Sequence, residues 1–489
     1  MSKQLLERLK IRKNLNISRV ITGLWQVADI EKNGDIIDPH MGADNLQAYV
    51  DEGFMTFDMA DHYGSAEIIA GALLTRYSGD QEKPLVFTKW CPVPGPMTAD
   101  IVRKGVQERL DRLGVDKVDL LQFHWWTFEH PSWLDALHEL KALREEGLIG
   151  EIGVTNFDAA HLHLAIADGI PICTNQISFS LIDRRASERL AKVCVAHDVY
   201  LLAYGTLCGG FLSEKWLGKT EPKDIADWSG MKYKRFIDVA GGWAAYQGIL
   251  SAAAFIGEKH GVSISNVATR WVLEQTGVAG VIIGARLGER EHRADNLKLF
   301  SFTLDEVDHT MLSEAFSKTT MIPGDCGDEY RKPPFLTASG DLTHHLNTVQ
   351  KAFVAVDVKS REGRQHVLSG SKWEDIAGYC RAKRIGNRVF VSGTTATHGV
   401  DRVVAVGDAA AQTTYILDKI AGAISALGAT MEDMARTRIY IQNSDDTLSV
   451  SSAHGRIFGE IKPANTLFEI GSLIGDYLVE IDAEAIVDD

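Results

Sequence analysis

No stretch of this chain is apolar for the roughly 20 residues a membrane-spanning helix needs. The opening residues, MSKQLLERLKIRKNLN, are charged and lack the apolar centre of a secretory signal. Cysteine is scarce and scattered: six residues, Cys91, Cys173, Cys194, Cys208, Cys326 and Cys380, with no CxxC pair. That usage argues against a disulfide framework. It predicts reduced thiols in a reducing compartment, hence a cytoplasmic protein. Cys173 and Cys208 lie in apolar strand patterns and are expected as buried packing residues. An excess of positive charge is also lacking. The formal charge is −15 over 489 residues, spread along the chain, which argues against nucleic acid and anionic membrane surfaces as partners. An anionic cofactor therefore needs a local basic patch. The GxGxxG and P-loop patterns are both absent, so a nucleotide has to be held some other way. No metal site is expected. No repeat and no low-complexity tract is visible.

What is present is a globular composition, 45% apolar and 24% charged, on a chain long enough for two or three domains. From Ser18 to about Phe316, strand and helix patterns alternate. SRVITGLWQV, MTFDMAD, LVFTKWC, VDLLQFHWW, GEIGVTNF, CTNQISFS, YLLAYGTL and GVIIGAR are short apolar runs bounded by turn residues. Amphipathic patterns such as AEIIAGALLTRY, TADIVRKGVQERLDRL and SWLDALHELKALREE lie between them. Eight βα units in one such stretch favour an α/β fold of the (β/α)8 TIM-barrel type over a doubly wound sheet. Thr98, Ser132 and Ser187 are expected N-caps. Around residues 317–350 periodicity gives way to Pro, Gly, Asp and Thr, which reads as a linker or docked extension. A small α+β pattern follows: the strands RVFVSGTTA, ARTRIYIQ, NTLFEIGSL and YLVEIDAEAIV, and the helices DAAAQTTYILDKIAGAISALG and SVSSAHGRIFGEI. The expected boundaries are 1–320, 321–350 and 351–489.

Polar residues stand at or just past the ends of three of the strand-like runs: Asp58 and Tyr63 in FDMADHYGSAE, Lys89 in LVFTKW, His124 in DLLQFHWW. In a parallel barrel, strand C-termini are where chemistry is placed. Tyr, Lys, Asp and His together suit proton transfer to a carbonyl oxygen. At these residues the chain resembles the aldo-keto reductase family, over about residues 15 to 320. The resemblance implies that Tyr63 is the general acid. Lys89 and Asp58 would lower its pKa, and His124 would orient the carbonyl. Asp61 and His62, in the same loop, are expected to shape it or line the substrate site.

The resemblance extends to cofactor residues. Thr155 and Asn156 of GVTNF, with Gln176 of TNQISFS, match residues that bind a nicotinamide carboxamide. Amides and hydroxyls suit its paired donor and acceptor faces. Tyr204 of AYGTL matches an aromatic platform for the nicotinamide, with the backbone of Gly205, Thr206 and Leu207 approaching the pyrophosphate. Gly23 and Trp25 would line the cleft base. In IIGARLGEREHRADN, Arg286 would meet a 2′-phosphate, and His292 and Asn296 the adenosine. An Arg there implies NADPH in preference to NADH.

From about Trp373 to Val487 the chain resembles the Rid (reactive intermediate deaminase, YjgF-type) family, with a chorismate-mutase-like α+β fold. The resemblance rests on GYCRAKRIGNRVFVSG, GDAAAQTTYILDKI, IYIQ and PANTLFEIGSL...LVEIDAEAI. That family forms trimers with an Arg and a Glu in pockets between subunits. Glu480 matches the Glu, and Tyr379 a pocket tyrosine. Asn465 stands where the Arg is expected, and an amide cannot make the bidentate, charge-assisted grip on a carboxylate. RVFVSG and LVEIDAEAI read as apolar on both faces, a second reason to expect a homotrimer or a multiple of three.

The expectation is an NADPH-dependent oxidoreductase that acts on a small carbonyl substrate, with a C-terminal module for assembly or ligand binding. Two alternatives are a redox-sensing protein with slow turnover and a bifunctional enzyme whose C-terminal domain acts on imines or enamines. Substrate choice is expected to lie in aromatic-rich loops carrying Trp125, Trp126, Phe128, Trp133, Trp216, Trp228 and Trp243.

Overall fold

The computed structural model describes residues 6–27, 37–79, 81–225, 227–287, 292–331 and 348–488. Its first element is a hairpin, β1 (Arg8–Arg12) with β2 (Leu15–Ser18). Ile11, Leu15 and Ile17 of the hairpin pack with Ile21, Phe87, Leu120, Cys173 and Leu202, the inward residues at the N-terminal end of the barrel. The hairpin therefore plugs that end. It lies inside the charged opening segment, where its short 2-residue alternation is masked by Arg and Lys.

Eight strands follow: β3 (Val20–Gly23), β4 (Thr56–Asp58), β5 (Leu85–Trp90), β6 (Val118–His124), β7 (Ile149–Thr155), β8 (Ile172–Ser178), β9 (Tyr200–Tyr204) and β10 (Val278–Gly284). All pair in parallel, in chain order, and β10 returns to β3, so the sheet is a closed barrel. The runs are nearly continuously apolar because barrel interior and helices cover both faces. The surrounding helices are α1 (Pro39–Asp51), α2 (Ala66–Leu74), α3 (Ala99–Leu113), α4 (Ser132–Glu145), α5 (Ala159–Ala167), α6 (Arg189–Ala196), α7 (Trp228–Val239), α8 (Gly242–His260), α9 (Ile264–Leu273), α10 (Arg293–Lys298) and α11 (Glu306–Phe316).

Thr98 caps α3 as expected, accepting from the Ile101 amide. Two other caps differ from expectation. Ser132 is the first residue of α4, and Pro131, whose ring fixes φ in the helical range, takes the cap position. Ser187 lies in a 3-10 turn before α6, and Glu188 precedes the helix. Asp158 caps α5 through the amides of Ala160 and His161. All six cysteines are free thiols, and five are buried. Burial pushes Cys173 and Cys208 up to about 12, as expected of packing residues.

After α11 the chain turns back across the barrel and ends this region in a one-turn helix, α12 (Asp328–Arg331). Much of the predicted linker, residues 332–347, lies outside the described residues. A seven-stranded sheet follows, with order β11-β12-β13-β14-β19-β17-β18. Its strands are β11 (Val356–Asp357), β12 (Arg364–Val367), β13 (Ala382–Ile385), β14 (Arg388–Thr395), β17 (Met434–Ile441), β18 (Ala464–Glu469) and β19 (Val479–Ile486). A small pair, β15 (Thr397–His398) with β16 (Arg402–Val403), stands apart. The helices are α13 (Lys372–Ala377), α14 (Ala409–Ala426) and α15 (Thr447–Phe458).

The expectation of strands apolar on both faces holds at β14, where Phe390 is exposed opposite buried Val389 and Val391, and fails at β19. β19 alternates: Val479, Ile481, Ala483 and Ala485 are buried, while Glu480, Asp482 and Glu484 face outward. Arg438 bridges Asp482 at 2.7 Å and Glu484 at 3.0 Å on that outer face. V-E-I-D-A-E-A is a period of two, the mark of a half-buried strand.

α14 is buried along most of its length because it covers the sheet on one side and meets α5 of the barrel on the other. The junction is rich in imidazole–carboxylate pairs. His161 and Asp418 are 3.0 Å apart, His163 and Asp408 2.7 Å, and His398 and Asp135 2.7 Å. Arg402 reaches Asp168 at 2.8 Å. Among the described residues no single helix is long and apolar enough to cross a membrane.

Candidate active site

Three strand ends build the floor of the site. β4 ends at Asp58, β5 carries Lys89 one residue from its end, and β6 ends at His124. Lys89 Nζ donates to Asp58 Oδ2 at 2.7 Å, with both side chains 4% exposed. Asp58 Oδ1 also accepts from Gln122 Nε2 at 2.9 Å and Gln176 Nε2 at 2.7 Å. Both oxygens of the buried carboxylate thus meet donors, which offsets the cost of its burial. Gln122 was missed in the sequence, although a Gln inside the apolar run DLLQFH was a usable signal. Gln176 Nε2 donates also to Gln122 Oε1 at 2.8 Å.

Tyr63 arrives on the loop after β4. Its ring lies 4.9 Å from Trp25, and Lys89 Nζ is 5.0 Å from its centroid. Burial pushes the phenol well above its ordinary value, and the Asp58 carboxylate pushes the same way. This reverses the expectation of a lowered value. Desolvation is the largest cause of the shift. The result is a phenol held in its protonated form.

Burial, and secondarily the Arg331 charge, press His124 well below the usual imidazole range, so its ring is neutral near pH 7. His124 Nε2 is buried with no hydrogen-bond partner among the described residues. Asp61 shapes the loop: its oxygens accept from the Cys91 amide at 2.8 Å and from His62 Nδ1 at 2.9 Å. Asp61, His62 and Cys91 have ligand-type atoms within 4.8 Å of one another, but the carboxylate is already committed to those bonds.

Beside this group lies the turn after β7. Asn156 has φ 58, unusual for a residue with a side chain, and is held on three sides. Its amide donates to Gln176 O at 2.8 Å, and its Oδ1 accepts from Tyr204 Oη at 2.8 Å. Its carbonyl accepts from Arg331 Nη1 at 2.6 Å. Thr155 Oγ1, Ser178 Oγ and Thr206 Oγ1 are buried hydroxyls without hydrogen-bond partners among the described residues. Buried polar atoms of this kind mark places for a ligand's polar groups. A carboxamide with one donor and one acceptor face fits them, so the residues present suit a nicotinamide cofactor. Ser178 was not singled out from the sequence. Gly205 has φ 69, and a Cβ there would collide with the Tyr233 hydroxyl, so only glycine fits. Thr206 and Leu207 continue that turn. Gly23, where a Cβ would meet Ile282, ends β3 on the same rim.

The adenosine-side residues are more open. Arg286 is exposed just past β10, and His292 and Asn296 flank the start of α10.

The extension supplies two residues that no sequence pattern revealed. Tyr330 presents its ring edge to His124 at 5.3 Å, and its hydroxyl meets Tyr204 Oη at 3.3 Å and Lys232 Nζ. Arg331 donates also to Trp125 O at 3.2 Å. Fewer of the expected aromatic residues stand beside the site than the sequence suggested. Trp126 lies 4.4 Å from His124. Trp125, Phe128 and Trp133 are buried packing residues, and Trp216 and Trp243 cluster with Phe211. Loops that long need their own core, and these rings provide it.

Residues 19–316 match the model of the Aldo/keto reductase family. The chain belongs to that family. Its members are oxidoreductases that generally use nicotinamide cofactors. Residues 370–487 match the Endoribonuclease L-PSP family, the grouping to which the Rid resemblance pointed. Among curated proteins, the chain is 26% identical to the aldo-keto reductase YhdN of Bacillus subtilis, over 65% of this chain and 96% of that one. An uncharacterised protein of Streptomyces coelicolor is 36% identical over 25% of this chain and 92% of its own length. Among solved structures, the glycerol dehydrogenase AKR11B4 from Gluconobacter oxydans covers 66% of this chain and 98% of its own, with TM-score 0.53 and 24% identity. That likeness bears on the fold of the barrel.

Proposed function

We propose that the barrel is an NADPH-dependent reductase that converts an aldehyde or ketone to an alcohol, with Tyr63 as general acid. The observation that carries this reading is the buried Lys89–Asp58 pair at 2.7 Å beneath Tyr63, with the unpartnered His124 Nε2 on the same rim. The bound nicotinamide supplies the hydride. Tyr63 donates its proton to the carbonyl oxygen, and Lys89 stabilises the phenolate left behind. Asp58, fixed by Gln122 and Gln176, keeps Lys89 pointed. His124, neutral, presents an N–H to the same oxygen. Thr155, Asn156 and Ser178 would hold the carboxamide, Tyr204 would serve as the platform for the ring, and the Gly205–Leu207 backbone would approach the pyrophosphate.

Arg286 selects NADPH by pairing with its 2′-phosphate. A charged hydrogen bond of this kind contributes about 1.5–3 kcal/mol. The test is nucleotide oxidation against a panel of aldehydes and ketones, with NADPH and NADH side by side. NADPH is expected to be the better donor, and Arg286→Ala to erase the preference without slowing the NADH reaction. Tight NADPH binding with no turnover on any carbonyl would favour a sensing role instead.

The C-terminal domain is an assembly module. Asn465 already donates to Thr437 Oγ1 at 2.9 Å and carries no charge for a carboxylate. The outer face of the sheet exposes Phe390 and Phe468 among its ion pairs. Neighbouring copies cover that face in a homotrimer with the barrels outermost. Light scattering on the full chain is expected to give three copies or a multiple of three; a monomer or dimer removes this role.

A further inference from the structure

The turn Thr155–Asp158 has an unusual set of supports. Asn156 sits in the left-handed region, a conformation that persists only where the surroundings impose it. Part of that imposition comes from outside the barrel. Asp158 caps α5, and its Oδ2 binds His161 Nδ1 at 2.6 Å. The other nitrogen of His161 binds Asp418 Oδ2 on α14 at 3.0 Å. One imidazole therefore ties the cofactor turn to the C-terminal domain. The Phe128 ring stacks on His161 at 3.5 Å and 7°, and the Arg331 guanidinium lies 4.2 Å from that same ring. Arg331 in turn holds the Asn156 carbonyl.

A second tie runs through α15. Arg456 is largely buried, and its Nη1 lies 3.9 Å from Asp325 Oδ2 in the segment that carries Tyr330 and Arg331. Asp158 and Asp418 contribute to its electrostatic surroundings. A third is steric. A Cβ on Gly422 of α14 would lie 2.7 Å from the Glu129 carbonyl, in the loop that follows His124. α14 touches that loop at backbone distance, which any side chain would prevent.

We propose that the C-terminal domain is a working part of the reductase site: Asp418, Gly422 and Arg456 are positioning residues that hold the cofactor turn and the Asp325–Arg331 segment in their binding geometry. This rests on the reading of Thr155–Asp158 as the carboxamide site. The remaining junction pairs serve as an internal control. Arg402 meets Asp168 at the far end of α5, so it fastens the domains without touching the turn.

The experiment uses the full chain and four variants: Asp418→Ala, Arg456→Met, Gly422→Leu and Arg402→Met. NADPH affinity is read from quenching of tryptophan fluorescence, and the KM values for cofactor and carbonyl are measured separately. Asp418→Ala and Arg456→Met are expected to weaken NADPH binding at least fivefold and to raise the cofactor KM in step. The oligomeric state stays as in the wild type in both, and the carbonyl KM does so in Asp418→Ala. Gly422→Leu, which favours the helix but wedges the contact, is expected to act in the same direction. Arg402→Met stays within twofold. Equal losses in all four variants overturn the proposal, because docking alone would then matter. So does an unchanged affinity in Asp418→Ala and Arg456→Met. If the wild-type chain binds neither nicotinamide nucleotide, the reductase reading itself fails and this inference falls with it.

Discussion

Replacing Tyr63 with Phe is expected to slow carbonyl reduction by about two or more orders of magnitude, the usual worth of a positioned acid. The substitution keeps the ring and removes one hydroxyl. Contacts to Trp25 at 4.9 Å survive, so the loop should keep its shape. NADPH affinity should therefore hardly change, since the hydroxyl is assigned to the substrate oxygen. The clean measurement is the single-turnover rate with saturating nucleotide. Because burial raises the phenol above its ordinary value near 10, the wild-type rate should show no alkaline fall below that pH that belongs to Tyr63. If the variant keeps more than a tenth of the wild-type chemical rate, Tyr63 is not the acid.

Lys89→Met should be worse in one respect, because it damages stability as well as rate. The ammonium and its carboxylate are almost wholly out of water. Removing one partner leaves Asp58 as an uncompensated buried charge, which typically costs about 3–5 kcal/mol. Gln122 and Gln176 still donate to it, so the lower end of that range is expected. Turnover should drop by about two orders of magnitude, since the phenolate then forms without a neighbouring cation. The companion Asp58→Asn/Lys89→Met removes both charges. It should regain much of the stability, as seen by denaturant unfolding, and almost none of the rate. Parallel recovery of both would mean that the pair serves folding alone.

The barrel was legible because its chemistry and its core obey one rule. Parallel strands buried on both faces read as apolar runs, and the polar residue that ends each run marks the mouth. Asp58, Lys89 and His124 stand out for that reason. α1 was not read from the sequence, although Ala43, Leu46 and Tyr49, all buried, stand at helical spacing in PHMGADNLQAYVD. Tyr330 and Arg331 were not legible. They lie on a single helical turn in a segment without periodicity, and long-range partners such as Asn156 and His124 fix their place. The direction of the Tyr63 shift could not be read from residue types, since it depends on how completely water is excluded. The alternating pattern of β19 was present in the sequence and was misread as two apolar faces.

The β1–β2 hairpin seals the end of the barrel opposite Tyr63. Its Ile11, Leu15 and Ile17 extend the packed interior there. On the function proposed above, cofactor and substrate would share the opposite rim, the one crossed by Tyr330 and Arg331. The residues that guard that rim lie in the tail of the barrel rather than among its strands.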